Sequence, residues 1–112
     1  LQENAKLHVI NEELFEACHN GIVAWSKNKE LQPILIRGKN DHVKTKERWE
    51  ILKEYFLREK IEFMEIHSVE GSILSKIVNL IYVLDYSSIY HAVIHEIDPS
   101  PVDAIDFVKS KL

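Results

Sequence analysis

Two short apolar segments constrain the fold of this chain more than any other feature of its sequence. Residues 33–36 read Pro-Ile-Leu-Ile and stop before Gly38, and a second apolar segment over residues 61–69 is closed by Glu70 and Gly71. Runs of this length are typical of strands buried on both faces of a parallel sheet. Two such strands alone make a poor sheet, so the sequence predicts that neighbouring strands lie outside these 112 residues.

Segments of helical period surround the two strands. Apolar residues recur every three or four positions over residues 11–27, 44–60 and 72–97. A last helix is predicted to begin with Ser100 as N-cap and Pro101 at the first helical position. The alternation of helices and strands predicts an α/β fold with a parallel sheet. The helix over 72–97 is apolar around much of its circumference, so we expect it to be largely buried.

Composition narrows the class of protein. Hydrophobic residues make up 46% of the chain and charged residues 29%, which is typical of one small globular domain. A net charge of −4 argues against nucleic acid as a partner, and the single Cys18 excludes an internal disulfide and suits a reducing compartment. Asn79 and Asp85 interrupt the longest apolar run, so no membrane span is predicted. The chain begins without methionine, and we expect it to be part of a longer polypeptide.

The segment Glu-Ala-Cys-His-Asn over residues 16–20 is the most distinctive polar motif. Glu16 and His19 are three residues apart, so on a helix they share a face and are able to pair. Histidine titrates near neutral pH and suits proton transfer, although a single histidine is more often a structural or surface residue. Cys18 falls on the apolar stripe and is predicted to belong to the core.

Other polar residues invite weaker hypotheses. His91 and His95 have the spacing of a helical metal pair, but no third ligand presents itself, and His95 suits the helix dipole. We therefore predict no metal site. Asp85 interrupts an apolar helix and is expected to be buried with hydrogen-bond partners, in either a structural or a functional role. Taken alone, Glu3 and Lys109 are predicted to be solvated groups near the two ends of the chain.

Four segments of the chain together resemble the bifunctional phosphoglucose/phosphomannose isomerases of archaea and some bacteria. They agree with that family in order and spacing over nearly the whole chain. The segments are QENAK (2–6), EACHNGIVAW (16–25), LIYVLDYSSIY (80–90) and IDPSPV (97–102), the last followed by Ile105 and Lys109.

The resemblance implies the C-terminal sugar isomerase (SIS) domain of a two-SIS-domain enzyme. It implies a three-layer α/β/α architecture with a parallel sheet, here incomplete at the N-terminus, with residues 1–112 forming part of that domain. The implied reaction interconverts glucose 6-phosphate or mannose 6-phosphate with fructose 6-phosphate through a cis-enediol, in the cytoplasm and without metal or cofactor. Glu3 would be the base that moves the proton between C2 and C1. His19 and Lys109 would open the sugar ring, and His19 would reach the site of the neighbouring subunit in a homodimer.

The residues that bind the phosphate belong, by the same resemblance, mostly to the absent N-terminal half. We therefore expect the 112-residue chain to be inactive alone. Val102 stands where some members of the family carry a threonine that contacts the sugar, which bears on the choice between glucose and mannose. The alternative from another class is a non-catalytic SIS module that senses sugar phosphates or only dimerises. Such a module would have no use for Glu3 and Lys109 in one pocket.

Overall fold

The computed structural model describes residues 1–27 and 30–112, which form two compact units. The terminal unit comprises residues 1–10 and 80–112, and the central unit comprises residues 11–79. The elements in chain order are α1 (Gln2–Ala5), α2 (Leu14–Glu16), a π-helical segment (Ala17–Gly21), α3 (Ile22–Ala24), β1 (Ile34–Arg37), α4 (Val43–Arg58), β2 (Met64–His67), α5 (Ile73–Ile94) and α6 (Asp103–Lys109).

The central unit is built on the two predicted strands. β1 and β2 pair in parallel, with Ile34 opposite Met64 and Ile36 opposite Ile66, as the alternation of strands and helices predicts. Leu35 is buried, whereas Ile34, Ile36 and Met64 on the other face are 38%, 42% and 53% exposed. In the part of the chain that the structure describes, only one face of the sheet is thus covered. The prediction of strands buried on both faces is correct only for that face of β1, where Leu35 is buried, and no residue of β2 is buried.

The core of the central unit joins the covered sheet face to the helices. Phe56 of α4 lies at its centre and is only 2% exposed. Its ring meets the Trp25 ring edge-on with centroids 5.4 Å apart, and the Phe63 ring lies 5.8 Å away. The predicted apolar stripe of the first long helix is confirmed, because Cys18, Ile22 and Trp25 pack against this core. The buried members are Leu14, Leu35, Trp49, Leu52, Phe56 and Ile61.

The first long helix is shorter than the predicted 11–27. It begins at Leu14 because the carboxylate of Glu13, not Asn11, accepts a hydrogen bond from the Phe15 N–H (2.9 Å) and caps the helix. It ends at Ala24 and carries the π-helical segment in its middle.

A cluster of charges fixes the carboxyl end of the sheet against α4. Arg37 donates to Glu65 (2.6 Å) and Glu50 (3.3 Å), and Lys53 lies 2.8 Å from Glu50 and 3.6 Å from Glu65. The hydrogen bond from Lys53 and that from Arg37 lower the pKa of Glu50. Partial burial raises the pKa of Glu65, but Arg37, Lys53 and the neighbouring His67 more than offset it, and the net shift is downward.

This cluster predicts a pH dependence of stability. Because both carboxyl pKa values are lower in the folded state, their stabilisation is present above the ordinary glutamate pKa and is lost as pH falls through the folded values. We expect the free energy of unfolding of the intact protein to decline between about pH 5 and about pH 3. Urea titrations across this range should show a shallower decline for Glu65→Gln. The exposed Glu62→Gln is the matched control, and an equal flattening in both variants would contradict the assignment.

The terminal unit packs through small residues. Ala5 of α1 and Ser88 and Ala92 of α5 are completely buried, which brings the two backbones close together. The segment before α6 departs from the predicted helix start. The Ser100 N–H donates to the Asp98 carboxylate (2.9 Å) instead of Ser100 capping the helix, and α6 begins only at Asp103. The turn is formed by the Asp98 side chain, which lies before the helix. Ser100 and Pro101 therefore belong to a loop and not to the first turn of a helix.

The apolar helix α5 differs from prediction in its burial. It runs from Ile73 to Ile94, but only 11% of its most apolar stretch of 18 residues is buried. Many of its large side chains are exposed. The expectation of a largely buried helix is therefore wrong for the described residues. Three tyrosines at successive helical turns form an exposed row with ring centroids 6.3 Å apart: Tyr82, Tyr86 and Tyr90.

By its length of 22 residues and its apolar composition alone, α5 is also able to cross a membrane. The core helix of a water-soluble protein passes the same test. Asp85 lies close to the middle of α5, where an acid costs about 2.5–3.5 kcal/mol in a bilayer. This cost favours protein over lipid as the cover of the exposed apolar surface of α5. That the chain has no membrane partner stays a prediction.

Candidate active site

The predicted base, Glu3, lies on a single helical turn. α1 has only four residues, and the Ala5 N–H donates to the Leu1 carbonyl (2.9 Å) to close it. The turn ends at Lys6, whose φ of 54° lies in the left-handed region. Isolated helices this short are not stable in water, so contacts from outside the turn must hold Glu3 in place.

Asn4 holds the turn to α5. Its side-chain amide donates to the Ser88 hydroxyl (2.8 Å), which in turn donates to the Asp85 carbonyl (2.7 Å). Ser88 has no exposed surface, and neither does Ala5 beside it on the turn. A hydrogen bond to a buried hydroxyl fixes an orientation because breaking it leaves a buried polar atom without that partner.

Lys6 holds the turn to the segment that precedes α6. Its ammonium group donates to the Glu3 carbonyl (2.7 Å), to the Pro101 carbonyl (2.7 Å) and, less closely, to the Pro99 carbonyl (3.4 Å). An ammonium group has three protons to donate, so these three carbonyls account for its donor capacity. The QENAK motif is therefore anchored on two sides, with Glu3 between the anchors.

Glu3 opens into a cavity of about 530 Å³ within the terminal unit. This volume lies inside the range of roughly 300–1,000 Å³ that is usual for small-molecule sites. Its walls carry two carboxylates, two amides and three apolar side chains, from Leu1, Gln2, Glu3, Asn4, Val9, Asp85 and Ile89. Carboxylates and amides together bind hydroxyl groups well, because they supply both acceptors and donors.

Asp85 differs from its prediction as a buried acid. It is exposed, and its side chain lines the cavity together with Glu3. The helix face that carries Asp85 opens into this cavity, so the carboxylate keeps its contact with solvent. Sequence patterns alone do not place Asp85 beside Glu3, because the two residues come from distant parts of the chain.

His19 lies in the π-helical segment of the central unit and is exposed. A π turn inserts one extra residue into an α-helix and is frequent at functional sites. The predicted pairing of Glu16 with His19 is not formed, since Glu16 instead accepts a hydrogen bond from the Asn20 amide. Cys18 is half-buried against the core, as predicted, and burial raises the pKa of its thiol.

Lys109 is the last residue of α6, is exposed, and lies outside the lining of the cavity that contains Glu3. The structure thus places Glu3 and Lys109 in the terminal unit without bringing them into one cavity, and it places His19 in the central unit. The His91 ring, in the last turn of α5, and the His95 ring, just after the helix ends at Ile94, have centroids 4.3 Å apart. Among residues 1–27 and 30–112, no third His, Cys, Asp or Glu completes a metal-binding group with them.

The four sequence motifs agree with the outcome of a comparison with protein families. The model of the bacterial phospho-glucose isomerase C-terminal SIS domain matches residues 1–112. The chain belongs to this family. The resemblance drawn from the sequence is confirmed, and so is the α/β class of the fold.

Two curated relatives carry the name bifunctional phosphoglucose/phosphomannose isomerase. The protein from Caldicellulosiruptor bescii is 31% identical over 114 residues, covering 98% of this chain and 34% of the relative. The protein from Aquifex aeolicus is 28% identical over 116 residues, covering 100% of this chain and 36% of the relative. The chain therefore spans about a third of the length of these relatives. No solved structure matches it.

The QENAK motif is recognisable in the sequence, but the sequence alone does not place Asp85 in the cavity wall or the Lys6 ammonium group at the Pro99 and Pro101 carbonyls. The sequence leaves Asp85 open between a structural and a functional role, and it gives Lys6 no role of its own. Their roles depend on contacts between residues 80 or more positions apart, which no local pattern records.

Proposed function

We propose that the protein containing this chain interconverts glucose 6-phosphate or mannose 6-phosphate with fructose 6-phosphate, with Glu3 as the base. The observation that carries this proposal is the position of Glu3 in the wall of a sugar-sized cavity, on a turn anchored by Asn4 and Lys6. The names of the two curated relatives support the same reaction class.

In the proposed reaction the open-chain sugar phosphate is neither oxidised nor reduced overall. The Glu3 carboxylate takes the proton from C2 of the aldose, and the electron pair of that C–H bond forms the C1=C2 double bond of a cis-enediol. As O1 gains a proton and O2 loses one, Glu3 returns its proton to C1 to give the ketose. A carboxylate held in fixed position is suited to this shuttle, because one group acts in turn as base and acid.

Ring opening is assigned to His19 and Lys109. One group must accept the proton of the anomeric hydroxyl while the other donates a proton to the ring oxygen, and imidazole and ammonium groups suit these tasks near neutral pH. We propose that His19 acts in the site of the neighbouring subunit of a homodimer. The reaction requires neither metal nor cofactor, and the enzyme is proposed to be cytoplasmic.

The finer architecture is part of the same proposal. Residues 1–112 would form part of a three-layer α/β/α SIS domain, the second of two in the enzyme. The uncovered sheet face with Ile34, Ile36 and Met64 supports it, and so do the exposed side chains of α5. Apolar surfaces of this extent call for cover by further strands and helices of the same domain.

The alternative is a non-catalytic SIS module that senses sugar phosphates or only dimerises. The position of Lys109 outside the cavity lining favours it, because a sensor needs no second proton-transfer group beside Glu3. Its cavity would still bind the sugar hydroxyls through the carboxylates and amides of the wall.

The two functions differ in turnover. We expect the intact natural protein to convert fructose 6-phosphate to glucose 6-phosphate in a coupled assay, and the separate 112-residue chain to show no conversion. In D2O the product should gain deuterium at C2, because the enediol is reprotonated from a group that exchanges with solvent. Mannose 6-phosphate, assayed in parallel, measures the epimer preference. Binding without turnover by the intact protein would support the sensing module, and robust activity of the chain alone would contradict the predicted need for the N-terminal half.

A further inference from the structure

We infer that Lys6 is a positioning residue that holds the Glu3 carboxylate in its reactive orientation by tying the α1 turn to the segment before α6. This inference rests on the proposed function and adds to it a residue to which sequence reasoning gave no role in the reaction. It is carried by three hydrogen bonds from one ammonium group, to the carbonyls of Glu3, Pro99 and Pro101.

The partners of these hydrogen bonds distinguish Lys6 from a residue that binds the substrate. All three go to backbone carbonyls of the protein, and Lys6 is not among the residues that line the cavity. An ammonium group whose protons are already donated has little capacity left for a phosphate or a sugar hydroxyl. Lys6 therefore acts on the reaction only through the position of its neighbours.

The two anchors of the turn restrain different motions. Asn4 and Ala5 fix the turn to α5 through a hydrogen bond to the buried Ser88 hydroxyl and through a fully buried methyl group. Lys6 fixes the peptide that immediately follows Glu3, because it bonds the Glu3 carbonyl itself. Removing the Lys6 ammonium would leave the turn attached on one side, and the Glu3 carboxylate would be free to rotate about that attachment.

The partner segment is suited to serve as a fixed point. Pro99 and Pro101 have restricted φ angles and no N–H, so their carbonyls are presented by a stiff backbone. The hydrogen bond from Ser100 to Asp98 closes a turn across the same residues. Lys6 itself adopts a φ of 54°, a conformation unusual for a lysine, which the bond to the Glu3 carbonyl helps to maintain.

The energetic consequence falls on the rate more than on stability. Lys6 and its three hydrogen bonds are exposed, so water replaces the lost bonds with little cost to folding. The reactive geometry has no such replacement, since a displacement of about 1 Å costs up to about 100-fold in rate.

The test is steady-state kinetics of Lys6→Met in the intact protein with fructose 6-phosphate. We expect kcat to fall by about 10- to 100-fold while KM stays within about twofold of the wild-type value. Lys6→Arg, which keeps charge and donors, should recover part of the loss. The matched control is Lys76→Met, which removes a similar bond to the Lys39 carbonyl (2.6 Å) in the central unit and should leave kcat unchanged.

Each outcome decides the inference. Near-UV circular dichroism at the assay temperature gives the folded fraction, and kcat is expressed per folded molecule, so partial unfolding of a variant does not obscure the result. An unchanged kcat for Lys6→Met, or a rise in KM without a fall in kcat, would overturn the positioning role. A wild-type protein without isomerase activity would overturn the proposed function and this inference together, whereas an active wild type with an unaffected variant overturns the inference alone.

Discussion

Glu3→Gln in the intact protein is expected to lower kcat for isomerisation by about 10²- to 10⁴-fold, the usual contribution of a general base. Glutamine has almost the same shape as glutamate, but its amide cannot take a proton from carbon at neutral pH. The turn should be preserved, because Asn4 and Lys6 hold it through a side-chain amide and through the Glu3 backbone carbonyl, which the substitution leaves intact. Binding of the sugar phosphate, measured by isothermal titration, should therefore change little.

Two further variants sharpen this test. Glu62→Gln changes an exposed acid of the central unit in the same way and should retain wild-type turnover. Asp85→Asn examines the other carboxylate in the cavity wall. If Glu3→Gln keeps its turnover and its deuterium incorporation at C2, Glu3 is not the base. A loss confined to Asp85→Asn would then transfer the role to Asp85.

The parts of the fold that were predictable from sequence are those fixed by local pattern. β1 lies where the apolar run over residues 33–36 places it, and α4 lies where the helical period over residues 44–60 places it, with Phe56 and Trp49 buried on its apolar side. Hydrophobic periodicity records which face of an element is apolar, and within the central unit the partner of that face is also present. For such elements the pattern and the packing coincide.

The same signals failed where a partner outside the element decides the outcome. α5 is apolar in sequence, yet its side chains are exposed, because a pattern does not state what covers a surface. The signal for a helix start at Ser100 was overridden, since Asp98 accepts the Ser100 N–H and Lys6 takes the carbonyls of the flanking prolines. The π turn at His19 shifts the helix by a single residue, which periodicity over so short a segment does not resolve.

The candidate site divides in the same way. The prediction of Glu3 as the base depends on the similarity of the QENAK motif to a motif of the isomerase family. A carboxylate near a chain terminus has no local sequence pattern that would distinguish it. The contacts that give Glu3 its setting join residues 84 to 95 positions apart, through Asn4 to Ser88 and Lys6 to Pro101. Only a folded structure brings such pairs together. The sequence therefore predicts Glu3 as a site residue but does not predict the hydrogen bonds that hold its turn in place.

The largest expected effect on stability is that of Phe56→Ala in the central unit. Phe56 is 2% exposed, and its ring contacts three other aromatic rings, those of Trp25, Tyr55 and Phe63. Truncating a buried phenylalanine removes its apolar contacts and leaves a cavity, which together cost about 3–5 kcal/mol. Natural domains have only about 5–15 kcal/mol of stability in total, so this one change removes a large share of it.

The neighbouring Leu57 supplies the control for this loss. It follows Phe56 on the same helix but is 69% exposed, so Leu57→Ala should cost less than about 1 kcal/mol. Urea unfolding of the intact protein, followed by tryptophan fluorescence, reports directly on the core because Trp25 and Trp49 both belong to it. Phe56→Leu should lie between the two, since it fills part of the cavity. If Phe56→Ala loses no more unfolding free energy than Leu57→Ala, this aromatic core does not hold the central unit together. The stability of the central unit would then come from surfaces that the rest of the protein covers.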